Sequence, residues 1–343
     1  MTYRTSDFDY DLPSGQIAQH PLPDRSASRL LVLERATGAI RHRHFTDIVE
    51  LIPPSDVLVL NASRVIPARL HGTREAGGPA EILLVRERAD GTWVAMGHPG
   101  GKLKPGRRVA FGDDSAVEIV EVLGGGLRRV RFIGPLAARA ALAKYGAVPL
   151  PPYIRRAPTA ADRERYQTVY AEHDGSVAAP TAGLHFTPEL LERVRNRGVT
   201  IAPLDLHVGP GTFKPVETDE LSVHAMHPEA YQIPEATARL VNDTKGVGGG
   251  VWGVGTTTVR ALESAADTRG QVRPGAGETS LFIHPPYEFK IVDRLLTNFH
   301  LPRSTLLMLV CAFGGYEQVM AAYREAVKEG YRFYSYGDAM AIA

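Results

Sequence analysis

The amino-acid sequence predicts a mixed α/β body with a small antiparallel β-barrel domain inserted into it. Short apolar runs alternate with amphipathic helical stretches before residue 65 and after residue 149, the pattern of α/β proteins. The stretch between instead carries short strands punctuated by turn residues, the pattern of a barrel. At 343 residues the chain is long for one small domain, and two are the prior. The body therefore takes residues 1–64 and 150–343, and the barrel residues 65–149.

The elements follow in order. RLLVLERATGAIRHRHF reads as two strands joined at a Thr-Gly turn, with His42 and His44 on one strand face. FTDIVELIPP is a short helix stopped by Pro53 and Pro54, and SDVLVLN a buried strand. In the barrel, Asp90-Gly91 and the Gly124 to Gly126 run separate hairpin arms, and LKPG feeds a strand. After Pro149, ADRERYQTVYAEHD is polar and helical or extended. TPELLERVRNRG is a helix with a Thr187 cap, Pro188 in its first turn and Gly198 at its stop. VTIAPLDLHV is a strand, PEATARLVNDTKG a helix, VWGVGT a strand and TTVRALESAA the helix after it. Thr297 to Gly315 reads as a polar turn carrying Asn298 and His300, then a helix capped by Ser304 that is apolar all round and hence buried.

Composition narrows the function. The chain is 44% hydrophobic and 22% charged, as soluble globular proteins are. Its net charge of +1 means that a nucleic-acid partner must meet a local basic patch. Arg25 and Arg29, Lys102 to Arg108, Arg128 to Arg131 and Arg155-Arg156 are the candidates for a phosphate track. A single cysteine, Cys311, excludes an intramolecular disulfide and fits a reducing cytosol. The polar N-terminus is no signal peptide, and the run LLMLVCAF is far short of the roughly 20 residues that cross a bilayer. A cytoplasmic location is expected, with no membrane.

Chemistry is expected at three junctions besides Asn298 and His300, because ligands of open α/β sheets bind beyond the carboxyl ends of strands. GSVAAPTAGLHFT sets Thr181, Gly183 and His185 among small residues that let a ligand approach the backbone. LDLHVGPGTFKPV places Asp205 and His207 on one strand face, where a carboxylate can tune an imidazole base. Gly209, Pro210, Gly211 and Thr212 follow as a tight loop. GVGTTTVRALES is strand, turn and helix, with Thr256, Thr257 and Arg260 at a helix start that suits a carboxylate or phosphate. It has neither dinucleotide nor Walker spacing. Each junction also has a bland reading: a capped helix, or an Asp-His pair satisfying itself. His224 and His227 lie three apart but lack a further ligand, so no metal is expected.

The motifs DFDYDLPSGQIAQHP, NASRVIPARLHG, GSVAAPTAGLHFT, HVGPGTFKPV, MHPEAY, VGTTTVRALES, TNFHLPRSTLLMLV and YRFYSYGDAM closely resemble the S-adenosylmethionine:tRNA ribosyltransferase-isomerases of queuosine biosynthesis. The resemblance runs in order over nearly the whole chain. It implies transfer and isomerisation of the ribosyl unit of S-adenosylmethionine onto 7-aminomethyl-7-deazaguanine at the wobble position of a GUN-type tRNA anticodon. The products would be epoxyqueuosine-tRNA, adenine and methionine. It also implies a monomer with S-adenosylmethionine as co-substrate and no tightly bound cofactor or metal.

On this basis His207 with Asp205 is the expected acid/base pair, and His185 and His300 are the other candidates. Thr181, Gly183, Gly209, Gly211, Thr212, Thr256, Thr257, Arg260 and Asn298 are expected at the co-substrate. Asn61, Arg64 and Arg303 are expected at tRNA or substrate. The sequence departs from the family at Ala62-Ser63, where Asp-Thr is usual after the Asn, and at Pro286 in HPPY, where Gly is common. The alternatives are an S-adenosylmethionine- or nucleoside-cleaving enzyme that uses no tRNA, and a noncatalytic RNA-binding protein.

Overall fold

A computed structural model describes residues 3–112, 114–209, 216 and 218–343. The first stretch folds as β1 (Arg29–Leu33), β2 (Ile40–His44), α1 (Ile48–Leu51), β3 (Val57–Asn61) and β4 (Ser63–Val65). Then come β5 (Arg69–Arg74), β6 (Pro79–Glu87), β7 (Trp93–His98), β8 (Arg108–Gly112), β9 (Ser115–Gly124), β10 (Leu127–Ile133) and α2 (Ala138–Tyr145). The remainder is α3 (Asp162–Arg165), β11 (His173–Ser176), α4 (Pro188–Asn196), β12 (Thr200–Leu206), β13 (Glu229–Ile233), α5 (Glu235–Gly246), β14 (Val251–Val254), α6 (Thr256–Ala265), β15 (Gly275–Thr279), β16 (Arg294–Asn298), α7 (Thr305–Gly314), α8 (Tyr316–Lys328) and β17 (Ala339–Ile342).

The mixed α/β expectation holds. Nine strands form one sheet in the order β15-β13-β12-β3-β14-β16-β17-β1-β2. Its centre, β12-β3-β14-β16, is parallel. Such strands are buried on both faces and read as continuous apolar runs, and VLVLN of β3 is buried throughout. Its side chains alternate between two cores. Val57 and Val59 pack with residues of α5 to α8, whereas Leu58 and Leu60 pack with residues of α1 and α4. Residues β5 to β10 close on themselves in a six-stranded antiparallel ring with a core of its own, including Leu70, Ile82, Ile119 and Val130.

The caps work as the sequence implies. The Thr187 hydroxyl accepts from Leu190 N at 3.2 Å, and Ser304 does the same for Leu307 N. The helix behind Ser304 is buried over most of its length. Other expectations change. Asn298 is not in a turn: it ends β16, paired with Ala339. β12 stops at Leu206, so His207 lies just beyond it. The polar stretch after residue 160 makes the single turn of α3 and runs into β11 at His173.

Candidate active site

The parallel strands decide where the motifs meet. β3, β12, β14 and β16 end on the same sheet edge, at Asn61, Leu206, Val254 and Asn298. A small cavity of about 60 Å³ opens there, lined by Thr181, Val208, Thr256, Thr257, Asn298 and His300 among others. The three sequence junctions and the segment of Asn298 and His300, far apart along the chain, therefore face one space. Gly255 precedes α6 with no capping side chain, so the first amides of this ten-residue helix open toward the cavity.

His207 faces a different space. It lines a cleft of about 770 Å³ between the ring and the sheet, together with Trp93, Met96, Arg139, His224 and His227. The backbone there is pinned at three successive residues. His207 N donates to Ala230 O at 2.9 Å, Val208 N to Ser176 Oγ at 2.9 Å and Gly209 N to Glu229 Oε1 at 2.8 Å. Val208 lines the small cavity and its neighbours line the large cleft, so the segment divides the two. The His207 imidazole lies over Gly175, where a Cβ would come within 2.7 Å of the ring. Burial lowers the His207 pKa, with Asp205 opposing the shift and His173 adding to it. The ring is therefore held neutral, and its Nδ1 is buried without a partner among the described residues. Gly175 has φ +147, which an L side chain rarely adopts. Gly175→Ala is expected to push the ring aside and lower turnover by at least tenfold, with a smaller effect on melting temperature. Comparison of kcat with thermal unfolding checks this.

The structure corrects several expected roles. Asp205 does not pair with His207. Its Oδ2 lies 2.9 Å from His173 Nδ1, because His207 has left the strand alternation. Arg260 does not reach a ligand: it is 2% exposed and locked to Glu229, with Nε donating to Leu281 O at 3.1 Å. It acts through Glu229, which holds Gly209. Asn61 is buried and spans two strand ends, donating to Leu206 O and accepting from Leu206 N and Ser63 N. No group is left over for tRNA. Arg64 donates to Ala171 O and lies 3.7 Å from Asp174, and Arg303 is paired with Asp9 at 2.5 Å. Gly183 is needed for packing, since a Cβ would fall 1.9 Å from Tyr170 Oη. Gly211 and Thr212 lie outside the described residues.

His185 also changes role. It is buried behind Asn298 and bridges Ser28 Oγ at 2.6 Å to Asn298 Nδ2 at 3.1 Å. Burial, with Arg25 and Arg332 adding to it, pushes its pKa down to about 3. His300, held at 2.7 Å by Thr297 Oγ1, is pushed to about 3 by burial. Both folded-state values are depressed below the ordinary 6.5, so the unfolded chain takes up two protons that the fold refuses. Stability is thus full above about 6.5 and falls as pH drops toward 3, with a slope of roughly 2.7 kcal/mol per pH unit from these two groups. Urea midpoints at pH 7, 6 and 5 measure it, and His185→Gln should flatten the slope.

Several basic residues proposed for a phosphate track serve the fold. Arg156 is bidentate on Asp162, Arg128 donates to three carbonyls, and Arg129 and Arg131 pair with Glu121 and Glu118. His224 is not helical and packs edge-on to Phe282. Among the described residues no group of three or more potential ligands surrounds a metal position. Sequence reasoning missed His173 and Glu229. Glu229 stood in the MHPEAY motif, and His173 two residues before Gly175, but only the pairing of β13 with β12 and of β11 with β4, which brings His173 to Asp205, reveals their partners.

Comparison with known proteins shows the family to which the chain belongs. A family model described as queuosine biosynthesis protein matches residues 5–342. A relative from Thermotoga maritima, named S-adenosylmethionine:tRNA ribosyltransferase-isomerase, is 51% identical, with 99% of each chain covered. One from Citrifermentans bemidjiense with the same name is 52% identical over 98% of this chain and 99% of its own. A crystal structure of the S-adenosylmethionine tRNA ribosyltransferase from Thermotoga maritima superposes with a TM-score of 0.57, at 41% identity, covering 98% of this chain and 100% of that one. The chain therefore belongs to the queuosine biosynthesis family and to its S-adenosylmethionine:tRNA ribosyltransferase-isomerase class of enzymes.

Proposed function

We propose that the chain transfers and isomerises the ribosyl moiety of S-adenosylmethionine onto 7-aminomethyl-7-deazaguanine at the wobble position of a GUN-type tRNA, giving epoxyqueuosine-tRNA, adenine and methionine. The observation that carries this reading is His207: an imidazole that burial keeps neutral, on a backbone pinned at three successive amides, facing a cleft large enough for a nucleotide and backing onto a cavity with a helix start. An anticodon base that is already unpaired can be splayed into such a cleft.

The chemistry makes matching demands. The sulfonium acidifies the hydrogens of the neighbouring 5′ carbon, and His207 takes one as a proton. As the glycosidic C–N bond breaks, the purine nitrogen keeps the electron pair and gains a proton. The amine of the modified base forms the new C–N bond with its lone pair and gives up a proton, which offsets the one the purine takes. The pair left on the 5′ carbon forms a new carbon–carbon bond as the sugar rearranges, and a sugar oxygen then closes the epoxide by forming a C–O bond as the C–S bond breaks, so that methionine leaves with that pair on sulfur. Thr181, Thr256, Thr257 and the first amides of α6 hold the methionine end of the co-substrate, its carboxylate at the helix start, and its sulfonium and sugar reach past Val208 to His207 in the cleft. Gly209 shapes the wall between the two spaces. Asp205, through His173, keeps negative charge near His207. The body of residues 1–64 and 150–343 supplies this chemistry, and the ring at 65–149 forms the far wall for RNA. The enzyme works as a cytoplasmic monomer without a tightly bound cofactor.

Incubation with S-adenosylmethionine and an anticodon stem-loop bearing 7-aminomethyl-7-deazaguanine tests the reading. RNA-dependent adenine release, with an RNA mass gain of one ribosyl-derived unit, is expected. Adenine release that needs no RNA, or no release at all, overturns it.

A further inference from the structure

The Asn298 amide carries an unfilled acceptor. Its Nδ2 donates to His185 Nε2 at 3.1 Å and to the carbonyls of Tyr334 and Asp338, both at 3.3 Å. Carbonyl oxygens only accept, so exchanging the amide nitrogen and oxygen would set acceptor against acceptor twice. The orientation is thereby fixed. The remaining atom, Oδ1, is buried and has no partner among the described residues, in a side chain belonging to a residue only 1% exposed. A buried orphan acceptor is costly, and this one belongs to a residue that lines the small cavity. Behind it, Ser28 Oγ can donate to Arg25 O at 3.4 Å while accepting from His185 Nδ1. That leaves His185 Nε2 as a bare acceptor for Asn298. Phe45 packs on the imidazole at 4.9 Å between centroids and keeps the relay dry.

We infer that Asn298 Oδ1 reads an N–H donor of S-adenosylmethionine, and that His185 and Ser28 are positioning residues that hold the amide with its oxygen toward the co-substrate. This rests on the placement of the co-substrate proposed above. Two groups of that molecule carry such donors: the 6-amino group of the purine and the ammonium of the methionine tail. The cavity offers the uncapped start of α6 for an anion and Asn298 Oδ1 for a donor. An apolar side chain at position 298 would offer nothing to either amine.

Calorimetric titration with three ligands tests the inference: S-adenosylmethionine, its analogue with unsubstituted purine in place of adenine, and its analogue lacking the α-amino group. One analogue is expected to bind wild-type enzyme about tenfold more weakly or worse, and which one identifies the donor. In Asn298→Ala that analogue and S-adenosylmethionine should bind alike. His185→Phe should shrink the same discrimination, a change that a merely structural role, seen only as a lower melting temperature, does not produce. Wild-type enzyme binding all three ligands equally overturns the inference, and needs no variant to fold. Thr256→Trp, which fills the cavity, separates the two ideas. Undiminished binding there overturns the placement and the inference together, whereas lost binding with indifferent analogues overturns the inference alone.

Discussion

A His207→Ala enzyme is expected to bind S-adenosylmethionine and keep its fold, yet to lose turnover by about 10²- to 10⁴-fold, the usual contribution of a positioned general base. The fold should survive because the backbone amides of residues 207–209 are satisfied by Ala230, Ser176 and Glu229, none of which involves the imidazole. The wild-type pH profile carries the same information. Burial lowers the His207 pKa below its ordinary value. A base must be unprotonated to act, so kcat/KM should be level at neutral pH and fall only as the pH drops below the usual histidine range. Stopped adenine-release assays across pH 5 to 8 measure both. An active alanine variant would falsify the assignment of His207, and a profile that falls on the alkaline side would contradict its role as base.

The second large effect concerns stability. Arg260 and Glu229 form an ion pair in which both side chains are nearly completely buried. Removing one partner leaves an uncompensated buried charge, so Arg260→Met should cost about 3–5 kcal/mol. Glu229→Gln should cost a similar amount, although its amide oxygen can still accept from Gly209 N. The double variant Arg260→Met/Glu229→Gln should recover much of either loss, since no lone charge remains. Urea denaturation of the three variants decides it. Single-variant losses below about 1 kcal/mol, or additive losses in the double variant, would contradict the account. The pair matters for function because Glu229 also fixes Gly209, at the wall between the cavity and the cleft.

The local elements were legible because their causes are local. Thr187 and Ser304 cap their helices through bonds three residues long, and the apolar run of β3 marks a strand covered on both faces. The rule that ligands gather at the carboxyl ends of parallel strands also singled out Thr181, Thr256, Thr257, Asn298 and His300, and these line one cavity. The roles of individual polar groups were less legible. Spacing put Asp205 and His207 on one face, but alternation applies only while the strand continues, and β12 stops between them. Arg260 looked like a free charge one turn into a helix. Its partner lies 31 residues away on β13. His185 and Asn61 carried the right chemistry for contact with substrate, and packing spent it on Asn298 and Leu206 instead.

By itself, then, the sequence determined the α/β class, the helix caps, the family and the segments that surround the site. Those follow from periodicity, from bonds between near neighbours and from long ordered motifs. Only the tertiary structure decided which polar atoms remain available. His207 Nδ1 and Asn298 Oδ1 are left without partners among the described residues, whereas Arg260, Asn61 and His185 are filled. The physical reason is that a buried polar group bonds whatever the fold brings within about 3 Å. Sheet order sets those neighbours, and β12, β3, β14 and β16 lie side by side despite their distance in the chain.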